Sequence, residues 1–277
     1  MNYEIKSNEI IVYDIQNFNV KQTFDCGQIF RYSINENKAV VFSKDKKAEL
    51  ETLADKVIIR TDDPQYFERF FDLKTDYSNI KRKLKRDTFL KDAITFGYGI
   101  RILNNDAFEM IISFIISANN NISRIKKSIE CLCEQFGEKK KDYYAFPTLQ
   151  QLKVATIEDF KKAGLGYRAE QMYSTIQNLT IEQVENLKDL STQEQFNFLV
   201  SLKGVGEKVA NCILLFGLGV KNVFPVDTWI NKVYNKLNNA NEHDRKKITK
   251  ELTDRYKDLS GYAQQYFFYY FRENNIQ

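Results

Sequence analysis

The chain has 277 residues, 43% of them hydrophobic and 14% aromatic, with a formal net charge of +4 at pH 7. This length allows one large domain or two modest ones, and the composition excludes a disordered chain. A single histidine, His243, and four cysteines without zinc or redox spacing argue against metal sites and histidine-dependent triads, so we expect no metal and no cofactor. The weak positive charge does not by itself identify a partner.

The first 60 residues alternate short β-branched runs with polar residues, which is typical of strands. The clearest runs are 10–13, 39–42 and 57–59, and Asn35-Glu36-Asn37 predicts a hairpin turn before the second. Asp62-Asp63-Pro64 then predicts a helix start, with proline at the first helical position. We therefore predict an N-terminal antiparallel β-sheet domain over residues 1–90.

Longer periodic segments follow and predict a larger all-helical region over residues 91–277, so the fold class is α+β. The predicted helices are 106–118, 122–136, 148–163, 168–178, 191–201, 206–217, 228–237 and 262–272. His243 falls in a loop or helix start. The segment 81–91 carries six basic residues, which are read as a solvated helix face in preference to a DNA-binding patch.

The sequence shows no recognisable secretory or membrane-spanning signal. The N-terminus lacks a basic region that leads into an apolar one, and the longest apolar stretch is too short to span a bilayer. We expect a cytoplasmic protein that makes no membrane contact.

A two-glycine turn, Gly204-Val205-Gly206, separates two predicted helices and forms a helix-hairpin-helix at about 195–217. Glycines there permit left-handed backbone and leave amides uncovered at the start of the second helix, where a phosphate would bind. An ordinary interhelical turn would show the same glycines, so the spacing alone leaves both interpretations open.

Lys208 and Cys212 lie four residues apart and share a face of the second helix. The lysine either extends its amine to solvent or is buried for a purpose, in which case burial would lower its pKa and favour Schiff-base chemistry. Nineteen residues later, Asp227 is predicted to cap the next helix.

These features together resemble the helix-hairpin-helix (HhH-GPD) DNA glycosylase superfamily, and more narrowly the prokaryotic form of its 8-oxoguanine DNA glycosylase/AP lyases. Four further blocks occur in the family's order. They are Cys26-Gly27-Gln28-Ile29-Phe30-Arg31-Tyr32, Ser117-Ala118-Asn119-Asn120-Asn121-Ile122-Ser123-Arg124, Gly164-Leu165-Gly166-Tyr167-Arg168-Ala169 and Gly261-Tyr262-Ala263-Gln264-Gln265-Tyr266-Phe267-Phe268.

The resemblance implies a base-excision site. Lys208 would attack C1′ of the damaged nucleotide, and Asp227 would stabilise positive charge on the sugar. Cys212 and Phe268 would sandwich the flipped purine. Gln264 would read its Watson–Crick edge, and the carbonyl of Gly27 would accept from the N7–H group that distinguishes 8-oxoguanine from guanine.

The resemblance also implies a DNA interface. The protein would act as a monomer on duplex DNA that contains oxidised guanine, and it would associate with the nucleoid. Asn119 would fill the gap left by the flipped base, and Tyr167 would wedge beside the orphaned partner. Arg124 and Arg168 would hydrogen-bond the opposite cytosine. The amides at Gly204 and Gly206 would bind the backbone.

Two positions depart from the family pattern. Lys203 stands where the hairpin often has proline, which predicts a less rigid but more cationic turn. Trp229 stands where eukaryotic members carry a histidine that contacts phosphate, and an indole cannot become cationic.

Two alternatives remain open on the sequence. A monofunctional glycosylase for alkylated or mismatched bases would need the hairpin and Asp227 but not Lys208. A non-catalytic helix-hairpin-helix module would need only the glycines and would bind duplex DNA without releasing a base.

Overall fold

The computed structural model describes residues 1–274 and begins with a six-stranded antiparallel sheet. Its strands are β1 (Tyr3–Ile5), β2 (Glu9–Val12), β3 (Tyr32–Asn35), β4 (Lys38–Ser43), β5 (Lys46–Thr52) and β6 (Val57–Arg60), in the spatial order β1-β2-β6-β5-β4-β3. Glu36 turns the β3–β4 hairpin with a left-handed φ of 52°. The predicted antiparallel sheet is confirmed.

Alternation along the strands buries one face of the sheet. In β4, Ala39, Val41 and Ser43 are buried while their neighbours are more exposed, as a period of two requires. The buried face packs against aromatic side chains, among them Phe67 and Phe71. This gives the sheet a hydrophobic core of its own.

Fifteen α-helices make up most of the remaining described chain. They are α1 (Val20–Asp25), α2 (Pro64–Phe70), α3 (Tyr77–Leu84), α4 (Thr88–Phe96), α5 (Ala107–Ser117), α6 (Ile122–Phe136), α7 (Leu149–Leu152), α8 (Ile157–Lys162), α9 (Arg168–Asn178), α10 (Ile181–Glu185), α11 (Thr192–Ser201), α12 (Glu207–Gly217), α13 (Thr228–Asn238), α14 (Arg245–Tyr256) and α15 (Ser260–Glu273). Short 3-10 turns occupy Ile15–Asn17, Asn186–Asp189 and Lys257–Leu259.

The second core lies among the helices, where α5 and α12 pack side by side. Almost every residue of α5 is buried, and so is α12 from Val209 to Gly217. A helix that is apolar on all sides belongs inside a protein. These two central helices therefore form a rigid base for the side chains at their ends.

One prediction about the helices is wrong. The segment 148–163 is not one helix, because α7 ends at Leu152 and α8 begins at Ile157. Thr156 interrupts the helix by forming a capping box with Asp159, in which each side chain bonds to the other residue's backbone amide.

The basic segment 81–91 is also not one continuous helix face. It spans the end of α3 and the start of α4, and Asp87 caps α4 by accepting from the amide of Phe89 (2.9 Å). Lys81 is half-buried and donates to the carbonyls of Gln16 (2.9 Å) and Tyr98 (2.8 Å).

The loop after α1 joins the sheet to the helices through Gln28, which is completely buried. Its side-chain amide donates to the carbonyls of Thr23 (2.8 Å) and Arg101 (2.7 Å) and accepts from the amide of Leu103 (2.8 Å). These bonds fix the adjacent Cys26-Gly27 segment against the helical region. Within residues 1–274, no helix is long and apolar enough to cross a membrane.

Candidate active site

The hairpin between α11 and α12 has the backbone that its glycines predict. Gly204 adopts a left-handed φ of +84°, and a Cβ placed there would approach Gln171 and Ile115 at 3.1–3.3 Å. Gly206 caps α12 without a side-chain bond, and in the described chain no atom lies within 4 Å of where its Cβ would be. The first amides of α12 are thus left uncovered, which is the arrangement that binds phosphate.

Lys208 occupies the second position of α12 and is half-buried. Its Nζ lies 5.8 Å from the centroid of the Phe114 ring. Cys212 contributes most to raising the pKa of Lys208; burial opposes this shift and Asp227 adds to it. The lowered pKa expected from burial is therefore wrong for this site, because Cys212 and Asp227 together outweigh desolvation.

Cys212 is buried one turn along the same helix, with 4% of its surface exposed. Burial raises the pKa of its thiol, while Lys208 opposes that shift. Its sulfur offers a polarisable surface suited to packing against an aromatic base.

Asp227 caps α13, as predicted, with Oδ1 accepting from the amide of Ile230 (2.9 Å). The residue also lines the cavity that contains Lys208. Because the amide of Ile230 already holds one oxygen of Asp227, this carboxylate keeps its position when a positive charge develops beside it.

A small cavity brings together all six residues predicted for catalysis and for the base pocket. Its lining consists of Cys26, Gly27, Phe114, Lys208, Cys212, Phe216, Pro225, Asp227, Gln264, Gln265 and Phe268. The volume is about 50 Å³, far below the roughly 300 Å³ at which ordinary ligand pockets begin. A base can therefore enter only after a side chain moves.

The Phe268 ring lies directly against Gly27 in the lining of the cavity. Gly27 has a left-handed φ of +79°, and a Cβ on it would lie only 3.0 Å from the Phe268 ring. Arg272, one turn further along α15, lies with its guanidinium carbon 5.2 Å from the centre of that ring and donates to the carbonyl of Asp25. The ring thus occupies the space directly beside the Gly27 backbone.

Gln264 lies one turn before Phe268, on the helix face that their spacing predicts. It is 5% exposed, and its Oε1 is buried without a hydrogen-bond partner among residues 1–274. A buried acceptor left unpaired costs about 1–3 kcal/mol. This cost is removed when a ligand with a hydrogen-bond donor occupies the cavity.

Sequence reasoning missed two supporting residues. Gln265 donates to the carbonyl (3.3 Å) and Sγ (3.1 Å) of Cys26 and so ties α15 to the Gly27 loop. Phe114 supplies the ring beside Lys208. The signal for Gln265 was its polarity within an aromatic helix, whereas Phe114 is indistinguishable in sequence from the core residues of α5.

The predicted DNA-contacting residues form a second group at the end of α5. Asn119 is exposed with a left-handed φ of 49°, and Tyr167 is 62% exposed. Arg124 is exposed in the first turn of α6. Thr175 on α9 donates to the carbonyl of Lys203 (2.8 Å), which connects this group to the hairpin.

Arg168 differs from the exposed residue that its predicted role suggests. It is 6% exposed and donates to the carbonyls of Ala118, Asn119 (2.6 Å) and Leu165 (3.4 Å). Its guanidinium carbon also lies 4.4 Å from the centre of the Tyr167 ring. Without DNA, Arg168 therefore holds the Asn119 loop in place, and a contact with cytosine would have to share or replace these bonds.

Two family models cover most of the chain. Residues 10–111 match the 8-oxoguanine DNA glycosylase N-terminal domain, and residues 112–258 match the HhH-GPD superfamily of base excision DNA repair proteins.

The fold is similar to that of a Clostridium acetobutylicum 8-oxoguanine glycosylase/lyase, solved with double-stranded DNA that contains cytosine opposite 8-oxoguanine. The two are 39% identical with a TM-score of 0.94, over 100% of this chain and 99% of that one. A probable N-glycosylase/DNA lyase of Methanothermobacter thermautotrophicus is 28% identical over 76% of this chain and 75% of its own length. The N-glycosylase/DNA lyase of Saccharomyces cerevisiae is 34% identical over 58% of this chain and 47% of its own length.

Proposed function

The chain belongs to the HhH-GPD superfamily of base excision DNA repair proteins, and we propose that it is a bifunctional 8-oxoguanine DNA glycosylase/AP lyase. The observation that carries this function is the convergence of Lys208, Asp227 and an unpaired Gln264 acceptor on one cavity. A lysine nucleophile explains the nicking activity, since a glycosylase that uses only water forms no imine. The Clostridium relative, similar along its whole length, supports 8-oxoguanine as the substrate.

The reaction begins when the damaged nucleotide leaves the helix stack and its base displaces Phe268 from beside Gly27. Enzymes that act on a base within duplex DNA must extrude it in this way. The base then lies between Cys212 and Phe268, with a donor on its edge pairing with Oε1 of Gln264. The Gly27 carbonyl accepts from N7–H, and guanine leaves this acceptor unpaired because it lacks that proton.

Lys208 attacks C1′ of the extruded nucleotide as the free amine. The C1′–N9 bond breaks, its electron pair leaves with the base, and the base gains a proton while the amine loses one. Asp227 stabilises the positive charge on the sugar during this step. The sugar ring opens to an imine, and loss of a C2′ proton then expels the 3′ phosphate and nicks the strand.

The amides of Gly204 and Gly206 and the first turn of α12 bind the phosphate backbone, while Asn119 fills the space left by the extruded base. Tyr167 wedges beside the orphaned cytosine, and Arg124 and Arg168 contact its edge. We propose that the protein acts as a monomer. We place it in the cytoplasm, on nucleoid DNA.

A product assay tests the function directly. Duplexes containing 8-oxoguanine opposite cytosine should release the base and yield a nicked strand, whereas duplexes containing guanine, hypoxanthine or 3-methyladenine should remain intact. Release without nicking would instead identify a monofunctional glycosylase. Tight binding without release would identify a DNA-binding module.

A further inference from the structure

Arg245 lies at the first position of α14, beside the start of α13. It is exposed, and its Nη2 lies 3.3 Å from Oγ1 of Thr228, the residue that directly follows Asp227. It is also within electrostatic range of Lys208. Cys212 does most to raise the pKa of that lysine, and Arg245 acts in the opposite direction.

The neighbouring cations of α14 are neutralised, but Arg245 is not. Lys246 pairs with Glu207 (2.7 Å), and Lys247 pairs with Glu242 (2.7 Å). Arg245 makes no ion pair with any residue of the described chain. It therefore carries a positive charge near Lys208 that has no direct carboxylate partner, which leaves it available to bind an anion.

The chemistry of the reaction supplies such an anion. When Lys208 attacks C1′ of a nucleotide, the two backbone phosphates attached to that sugar lie nearby. Because Arg245 is close to the Lys208 ammonium, it is also close to these phosphates. Trp229, two residues after Asp227, has no charge to offer and stacks near Lys232, with Nζ 5.6 Å from its ring. The planar guanidinium of Arg245 can form two parallel hydrogen bonds to a phosphate, which neither the Trp229 indole nor the Lys232 ammonium can do.

We propose that Arg245 binds a phosphate flanking the nucleotide whose sugar Lys208 attacks, and so anchors the extruded nucleotide beside the start of α13. This inference rests on the proposed function. The hairpin amides would hold the strand at α12, while Arg245 would hold it at the junction of α13 and α14.

Binding to a duplex with a tetrahydrofuran abasic analogue tests the proposal without any chemical step. The logarithm of the affinity falls with the logarithm of salt concentration by about 0.9 for each phosphate neutralised. Arg245→Gln should therefore weaken binding and reduce that slope by about 0.9, whereas Arg245→Lys should keep the slope. Lys250→Gln is the matched control, because it removes one charge from the same helix at a residue that pairs with Asp254 (2.7 Å).

A methylphosphonate in the DNA then locates the contact. Replacing each phosphate beside the analogue in turn should leave one duplex on which wild type and Arg245→Gln bind equally well. If Arg245→Gln keeps the wild-type affinity and slope, or if its loss is the same on every substituted duplex, the proposal is wrong. Wild-type protein that binds this duplex but releases no 8-oxoguanine would contradict the proposed function and leave the test of Arg245 intact.

Discussion

Asp227 has two tasks that a single substitution can separate. Its Oδ1 caps α13, and its negative charge faces the sugar. Asn caps helices as well as Asp does, so Asp227→Asn should change the free energy of unfolding little. It should slow base excision on the order of 100-fold, because the charge that stabilises the transition state is lost.

The measurement compares urea unfolding with single-turnover excision for Asp227→Asn and Asp227→Ala. The alanine variant should add a loss of about 1 kcal/mol in stability, since its cap is missing. An asparagine variant with wild-type excision rates would show that the carboxylate has no catalytic role.

The charged state of Lys208 predicts a pH dependence. Because Cys212 and Asp227 raise the pKa of Lys208 against the effect of burial, only a small fraction of the amine is free at neutral pH. Single-turnover excision should therefore rise by about tenfold per pH unit below that pKa. Rates measured from pH 6.5 to 9 on the 8-oxoguanine duplex check this, and a plateau beginning at pH 7 would contradict it.

At the level of elements, the hairpin offers a matched pair of glycines. Gly204→Ala should destabilise the chain by about 1–2 kcal/mol, because alanine is strained in left-handed backbone and its Cβ would crowd Gln171 and Ile115. Gly206→Ala should cost less, about 0.5 kcal/mol, because its φ is −87° and the space is open, although alanine is a poorer N-cap than glycine.

Thermal unfolding and duplex-binding affinity, measured for Gly204→Ala and Gly206→Ala, test these expectations. Gly206→Ala should weaken DNA binding with only a small loss of stability if the open space beside the α12 amides receives a phosphate. Equal stability losses in the two variants would contradict the backbone account of this turn.

Sequence patterns predicted the long apolar helices well and the polar ones poorly. Helices α5, α6, α9, α11, α12, α13 and α15 lie within two residues of their predicted bounds. Helix α14 is harder to predict because its apolar stripe is narrow: of its twelve residues, only Ile248, Leu252 and Tyr256 are buried. Strands β1, β3 and β5 were missed because their pairing, rather than their composition, makes them strands.

The sequence predicted those residues of the candidate active site that belong to the family's sequence motifs. The six predicted pocket residues do line one cavity, although their individual roles remain predictions. Sequence could not show that Phe268 packs against Gly27 or that Arg168 is buried, because both depend on contacts between distant segments. The sequence also predicted a lowered pKa for Lys208, whereas the pKa is raised, because burial alone could be inferred from the sequence and the effects of Cys212 and Asp227 could not. The domain boundary near residue 90 stays a prediction.

At the scale of the whole molecule, Glu109 joins the sheet to the helical core. It is 2% exposed on α5, and its Oε2 accepts from the amide of Lys44 in the β4–β5 hairpin (2.9 Å). Burial raises the pKa of this carboxyl to about 7, with Arg31 opposing and Asp106 and Glu130 adding to the shift.

This shift predicts that stability falls as pH rises. Between the unfolded value of 4.5 and the folded value of about 7, only the folded state holds the proton, so the stabilisation present below pH 4.5 is lost as pH increases through 7. The loss amounts to at most about 3 kcal/mol, at 1.36 kcal/mol per pKa unit. Glu109→Gln should remove this dependence.

Urea unfolding at pH 5 and pH 8 measures the effect, with the exposed residue Glu182 changed to Gln as the control. The stability difference between Glu109→Gln and wild type should grow in favour of the variant from pH 5 to pH 8. A difference that does not change with pH would show that Glu109 is already ionised in the folded protein at pH 5.

The central claim is that Lys208 forms a covalent imine with the sugar of an 8-oxoguanine nucleotide opposite cytosine. Borohydride reduction during the reaction, followed by mass spectrometry of the peptide–DNA adduct, tests it most directly. We expect one cross-link, located at Lys208, with none in Lys208→Gln and an undiminished yield in Lys250→Gln. An adduct at another residue, or an equal yield from Lys208→Gln, would contradict the account.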